Sequence, residues 1–175
     1  MENTDWRFNR IVVGIDGSAG ATRAVSWAIN LARRTGAEIL AVHIGQPPVQ
    51  DFASYGFVAP VPVADWQDEI RGLFYEEWCL PFRQSSVRYR TIFEEGSPGQ
   101  QLIAIAEREG AGMIVTGSRG LGLLREAILG SVSHYVVQHA DVPVVVVPPE
   151  HHVRVKVVQA EPAATPAALP SGVFS

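Results

Sequence analysis

Two kinds of apolar pattern take turns along this chain: short unbroken runs, and residues recurring every three or four positions. Arg10 to Ile15 (RIVVGI) is a β-branched run closed by Asp16-Gly17-Ser18, which predicts a buried strand ending in a turn. From Ala21 to Arg34, residues Ala24, Val25, Ala28, Ile29, Leu31 and Ala32 share one helical face, and Gly36 suits the C-terminal cap. Glu38 to Ile44 (EILAVHI) is the second strand, so strand, helix and strand arrive in the order of a right-handed parallel crossover. The proline-rich stretch from Gly45 to Ala64 has no period and reads as a long loop, leaving strand two on the edge where a ligand would sit. A lid and an ordinary surface insertion both fit it, the latter better. Trp66, Ile70, Leu73, Phe74 and Trp78 restore helical spacing up to Pro81, and this aromatic stripe reads as core rather than as a cofactor box. Val87 to Phe93 alternates, as expected of an edge strand with one more polar face. Ser97 and Pro98 open the next helix, which Leu102, Ile103 and Ala106 carry to Gly110. Met113 to Thr116 is strand four, Leu123, Leu124, Ala127 and Ile128 follow at helical spacing, and Val142 to Val147 closes the sheet. Five strands alternating with helices define a doubly wound α/β domain with a parallel sheet.

A length of 175 residues suits one such domain, placed at 1–158, with Val153 to Val158 fitting one more short strand. The Ala- and Pro-rich stretch 159–175 is expected to be disordered. No apolar run approaches the ~18 to 20 residues that span a bilayer, and the first residues lack a signal-peptide core, so a cytoplasmic protein without membrane contact is expected. A net charge of −4 with no basic cluster argues against a nucleic-acid partner. Cys79 is the one cysteine, which excludes an internal disulfide and a zinc site built on paired cysteines; it reads as a packing residue.

The candidate chemistry lies in Gly117 to Ser133 (GSRGLGLLREAILGSVS), directly after strand four. Glycines allow successive N–H groups to converge on one anion, and a helix that follows adds its free N–H groups and dipole, so the stretch suits a phosphate cradle. Gly130 interrupts the helical pattern just before Ser131, as the close approach of a ligand would require. The order Gly117-x-x-Gly120-x-Gly122 reverses the dinucleotide fingerprint, and no lysine follows as in a P-loop. Asp16, at the carboxyl end of strand one, is placed equally well to hold a ligand amine or hydroxyl and to form the turn or cap the helix.

Gly117, Gly120, Gly130 and Ser131 match the pattern G-x-x-G, nine residues, G-[ST], and in this the sequence resembles the ATP-binding class of the universal stress protein family over about 9–148. The resemblance implies an adenine nucleotide alpha-hydrolase-like fold with strand order 3-2-1-4-5. It implies that Asp16 and the Ile44 backbone hold adenine, that Gly117 and Gly120 approach ribose and phosphates, and that Gly130, Ser131, Val132 and Ser133 contact the phosphates. Gly14 and Thr116 complete that set, with Arg119 either adding charge or simply exposed. ATP is the implied ligand, with Mg²⁺ carried by its phosphates rather than by protein side chains. A homodimer through Val144, Val145, Val146 and Val147 is implied, which would cover an otherwise hazardous edge, together with a regulatory partner whose nature the sequence does not give.

The remaining candidates read as structural. His43 has no partner at ligand spacing and is taken as a hydrogen-bonded core histidine, and Arg88 and Arg90 as charges that discourage edge-to-edge pairing. No catalytic residue is assigned, because no base with neutralising lysine or arginine partners can be named. The reading is a nucleotide-controlled stress-response protein, not an enzyme. Its alternatives are a slow ATP-hydrolysing or nucleotidyl-transferring enzyme on the same fold, and a dimeric interaction module that binds no nucleotide.

Overall fold

The computed structural model describes residues 8–46, 63–120 and 129–148. Its strands are β1 (Arg10–Gly14), β2 (Glu38–Gly45), β3 (Tyr89–Glu95), β4 (Met113–Gly117) and β5 (Val144–Val147). They form one sheet, all parallel, in the order β3-β2-β1-β4-β5. The helices are α1 (Ala19–Thr35), α2 (Val63–Leu73), α3 (Leu80–Arg83), α4 (Pro98–Arg108) and α5 (Ser131–His139), with a π-turn at Phe74–Trp78 between α2 and α3.

β1 is central, and successive side chains serve opposite faces. Ile11, Val13 and Ile15 pack with Ala24, Val25, Ala28 and Ile29 of α1 and with Phe74 and Phe82. Val12 packs with Leu40, Val42 and Ile114 against Leu102 and Ile105 of α4 and Val136 of α5. Ile11, Val12 and Val13 are all fully buried, so each large side chain contributes about 1.5–3 kcal/mol. α1 sits close to β4 because its first turn carries no bulk. A Cβ on Gly117 would lie 2.5 Å from the Gly20 carbonyl carbon, and one on Gly20 would strike the Arg119 carbonyl oxygen.

The ends of the elements follow local chemistry. Ser18 caps α1, its Oγ accepting from the Ala21 N–H at 3.1 Å, and Gly36 ends it at φ 72°. Asp16 is therefore not the cap; its carboxylate accepts from the Ser18 N–H at 2.9 Å and shapes the turn. Ser97 stands at the N-cap of α4 without a side-chain bond.

Three expectations are corrected. The loop from Gly45 to Ala64 is shorter, because Gly45 is the last residue of β2, and Val63 and Ala64 already belong to α2. β3 runs two residues later than Val87 to Phe93, since parallel pairing sets Tyr89 beside Ile39 and Glu95 beside Gly45. Gly130 does not interrupt a helix; it is the N-cap of α5 at φ −69° and ψ 160°. The helical spacing at 123–128, the loop residues 47–62, the short strand at 153–158 and the tail at 159–175 lie outside the described residues.

Charged side chains gather where the strands begin. Glu38 holds Arg10 and Arg90 at 3.2 Å each, and Arg90 reaches Glu109 at 2.7 Å; farther along, near the end of β3, Glu94 pairs with Arg108 at 2.6 Å. Arg88 donates to the Gly36 carbonyl at 2.8 Å. Both edge arginines are thus tied to groups of their own chain.

Candidate functional site

β1 leads through α1 to β2 on one side, whereas β4 pairs with β1 on the other. Connections that leave in opposite directions part at the carboxyl ends of β1 and β4, the place where open α/β sheets bind ligands. A cleft of about 620 Å³ opens there. Gly14, Asp16, Ile44, Thr116, Gly117, Arg119, Gly120, Gly130, Ser131, Val132 and Ser133 all line it, so the whole set picked from sequence is brought together in space.

The base of the cleft is built by strand register. Ile15 N–H makes the last bond from the β1 end to β2, reaching the Val42 oxygen at 2.8 Å. In a parallel ladder residues two apart turn their main-chain groups to the same neighbour, so the Ile44 N–H and C=O face the gap beyond β1. Asp16 stands on the other side of that gap. A Cβ on Gly120 would meet its Oδ2, so a larger residue there would push the carboxylate from its present position.

The opposite wall is a helix start. The backbone ladder of α5 opens with the bond from His134 N–H to the N-cap Gly130 O at 2.9 Å, so the N–H groups of Ser131, Val132 and Ser133 precede the ladder and favour an anion. Ser133 Oγ donates to Gly117 O at 2.9 Å, which leaves its N–H rather than its hydroxyl proton for a ligand. Thr116 and Ser118 are 4% and 5% exposed, and among the described residues neither hydroxyl has a hydrogen-bond partner. A buried unsatisfied hydroxyl costs about 1–3 kcal/mol, and Thr116 lines the cleft.

Gly117, which lines the cleft, also has a packing role. Its Cβ direction points at Gly20 and Ala21 inside the protein, so packing against α1 already demands glycine there. The features that the sequence did not assign to the site are Trp66, Ile70 and Trp78, which line the cleft. In an α-helix Phe74 and Trp78 would share a face. The π-turn instead bonds Cys79 N–H to Phe74 O at 3.0 Å, so Phe74 and Cys79 enter the core and Trp78 swings toward the cleft. The aromatic stripe is thereby divided between core and site.

His43 also lines the cleft and is buried. Its Nδ1 lies 2.7 Å from the Ile15 carbonyl, which can only accept, so Nδ1 carries the proton. Burial lowers its pKa, while the Ile15 bond and Asp16 act the other way. The ring is neutral at pH 7. Burial pushes the Cys79 thiol up to about 11, with Arg83 opposing, which keeps it protonated. Among the described residues no three His, Cys, Asp or Glu side chains gather as a metal site, and no helix is long and apolar enough to cross a membrane.

This fold is a doubly wound parallel α/β domain with a ligand-sized cleft at its topological switch point. The family model for the universal stress protein family matches residues 7–148. The chain belongs to the universal stress protein family. It is 34% identical over 147 residues to the universal stress protein YxiE of Bacillus subtilis, covering 80% of this chain and 99% of that one. UspA from Lactobacillus plantarum superimposes with a TM-score of 0.63 at 21% identity, covering 81% of this chain and 98% of the other. A family protein from Arabidopsis thaliana with AMP bound gives 0.53 at 20% identity, covering 81% and 92%. The strand order expected from the resemblance is the observed one.

Proposed function

We propose that this chain is an ATP-binding regulator of the stress response, acting in the cytoplasm as a nucleotide-controlled homodimer and not as an enzyme. One observation carries the reading: a single cleft gathers the Asp16 carboxylate, the opening N–H groups of α5 and the buried, unpartnered Thr116 hydroxyl. An adenine nucleotide has a polar base edge for the first and phosphates for the second. Asp16 and the Ile44 backbone hold the base, Gly120 keeps Asp16 in place, and Ser131, Val132 and Ser133 take phosphate through their N–H groups. Arg119 adds charge at the rim. Mg²⁺ travels on the phosphates, where it offsets their charge. The AMP complex of the Arabidopsis relative supports the ligand class and favours, as a second reading, a shorter adenine nucleotide.

Calorimetric titration of ATP with Mg²⁺ is expected to show saturable binding that weakens when Mg²⁺ is chelated. Gly120→Val is expected to abolish binding with little change in the circular dichroism spectrum, because its side chain displaces the Asp16 carboxylate. ADP and AMP decide the preferred nucleotide. A wild-type chain that binds none of the three overturns the assignment, and phosphate release faster than about 1 s⁻¹ would make the protein an enzyme.

The dimer is supported by the edge position of β5, whose Val144, Val145 and Val146 remain half-buried. Covering them removes an exposed strand edge. Sedimentation equilibrium at micromolar concentration is expected to give twice the 19.0 kDa chain mass, reduced to one chain by Val145→Lys. A wild-type mass of one chain refutes this interface.

A further inference from the structure

We propose that Trp78 is the stacking plate for the ligand's base, and so a specificity-determining residue that restricts the cleft to nucleotides with a planar aromatic base. The inference rests on the nucleotide reading above and extends it to residues outside the glycine motif.

Three independent contacts fix the indole. The π-turn takes it off the face that Phe74 and Cys79 bury, so that one side of the indole packs on the core while the rest stands at the cleft. Gly17, held at φ +79°, lies directly on the ring, since a Cβ there would sit 2.5 Å from Cζ2 and 2.6 Å from Cε2. His43 meets it edge-on, with centroids 5.2 Å apart and planes at 64°. Trp78 remains half-buried and lines the cleft together with Asp16 and Ile44. π-turns recur at functional sites, and a fixed aromatic ring loses little freedom on binding a base. Gly17 and Asp16 belong to one turn, so the turn that supplies the carboxylate also seats the plate. The edge of a base can then be read by Asp16 while its face rests on Trp78. Trp66 is a further indole on the cleft wall.

The test titrates AMP and ribose 5-phosphate into wild type, Trp78→Leu and Trp78→Phe. Trp78→Leu is expected to weaken AMP about tenfold or more, within the range of aromatic–base stacking. Trp78→Phe is expected to stay within about threefold of wild type, and the sugar phosphate to bind all three equally. Intrinsic fluorescence gives a second readout independent of any loss of stability: AMP quenches wild type, and most of the quenching disappears in Trp78→Phe although binding persists. AMP affinity unchanged in Trp78→Leu, or equal losses for AMP and ribose 5-phosphate, overturns the stacking role while leaving nucleotide binding intact. A wild-type protein that binds no adenine nucleotide overturns both proposals.

Discussion

Gly117→Ala is expected to destabilise the protein by about 3 kcal/mol, the upper part of the range for an overpacked interior. The added methyl would lie 2.5 Å from the Gly20 carbonyl carbon, 2.8 Å from its oxygen and 2.9 Å from the Ala21 nitrogen. These are backbone atoms of the first turn of α1, so no side chain can rotate to relieve the contact. Either α1 moves away from β4 or the end of β4 bends. Gly130→Ala is the control: its methyl would find its nearest neighbour at 3.4 Å, and its φ of −69° suits any residue, so a loss below about 1 kcal/mol is expected. Urea unfolding of both variants decides the point, and equal midpoints would show that α1 and β4 do not meet as described. Within the motif G-x-x-G, then, an added side chain at Gly117 would meet the backbone of α1, whereas one at Gly120 would meet the Asp16 carboxylate.

Phe74→Ala is expected to cost about 3–5 kcal/mol, as for other large aromatic residues removed from a core. Phe74 is fully buried and its ring centroid lies 5.0 Å from Tyr75, 5.8 Å from His43 and 5.9 Å from Phe93. The loss combines the apolar surface returned to water with a cavity that the sheet above it cannot collapse to fill. Because Phe74 opens the π-turn, the same variant is expected to release Trp78 from the cleft wall. Leu80→Ala, at 42% exposure, should cost under ~1 kcal/mol. Denaturant titration measures both, and a Phe74→Ala loss no greater than that of Leu80→Ala would contradict the described core.

The elements of the sheet were legible because a parallel strand buried on both faces leaves an unbroken apolar run, as in Ile11 to Val13 and Ile39 to Val42, while α1 leaves a stripe. The strand order was not written in those patterns; it came from the resemblance carried by Gly117, Gly120, Gly130 and Ser131. The residues of the cleft were legible for the same reason, since glycines and hydroxyls after a strand are costly without a purpose. Trp78 was hidden because periodicity reports burial and assumes a uniform helix. One π-turn shifts every later side chain around the axis, and nothing in FYEEW announces it. The packing role of Gly117 was hidden as well, because its counterpart Gly20 sits far away in the chain, inside a helix where glycine carries no turn signal.

The ion pairs joining Arg10, Glu38, Arg90 and Glu109 lie where the strands begin, and the cleft lies where they end. The molecule is therefore divided into a foot and a head about one sheet length apart. Changes in the turn after β1 or the glycine segment after β4 leave the foot untouched, and energies at such separate places add nearly independently. A lineage can exchange one ligand for another at the head without rebuilding what holds the domain upright.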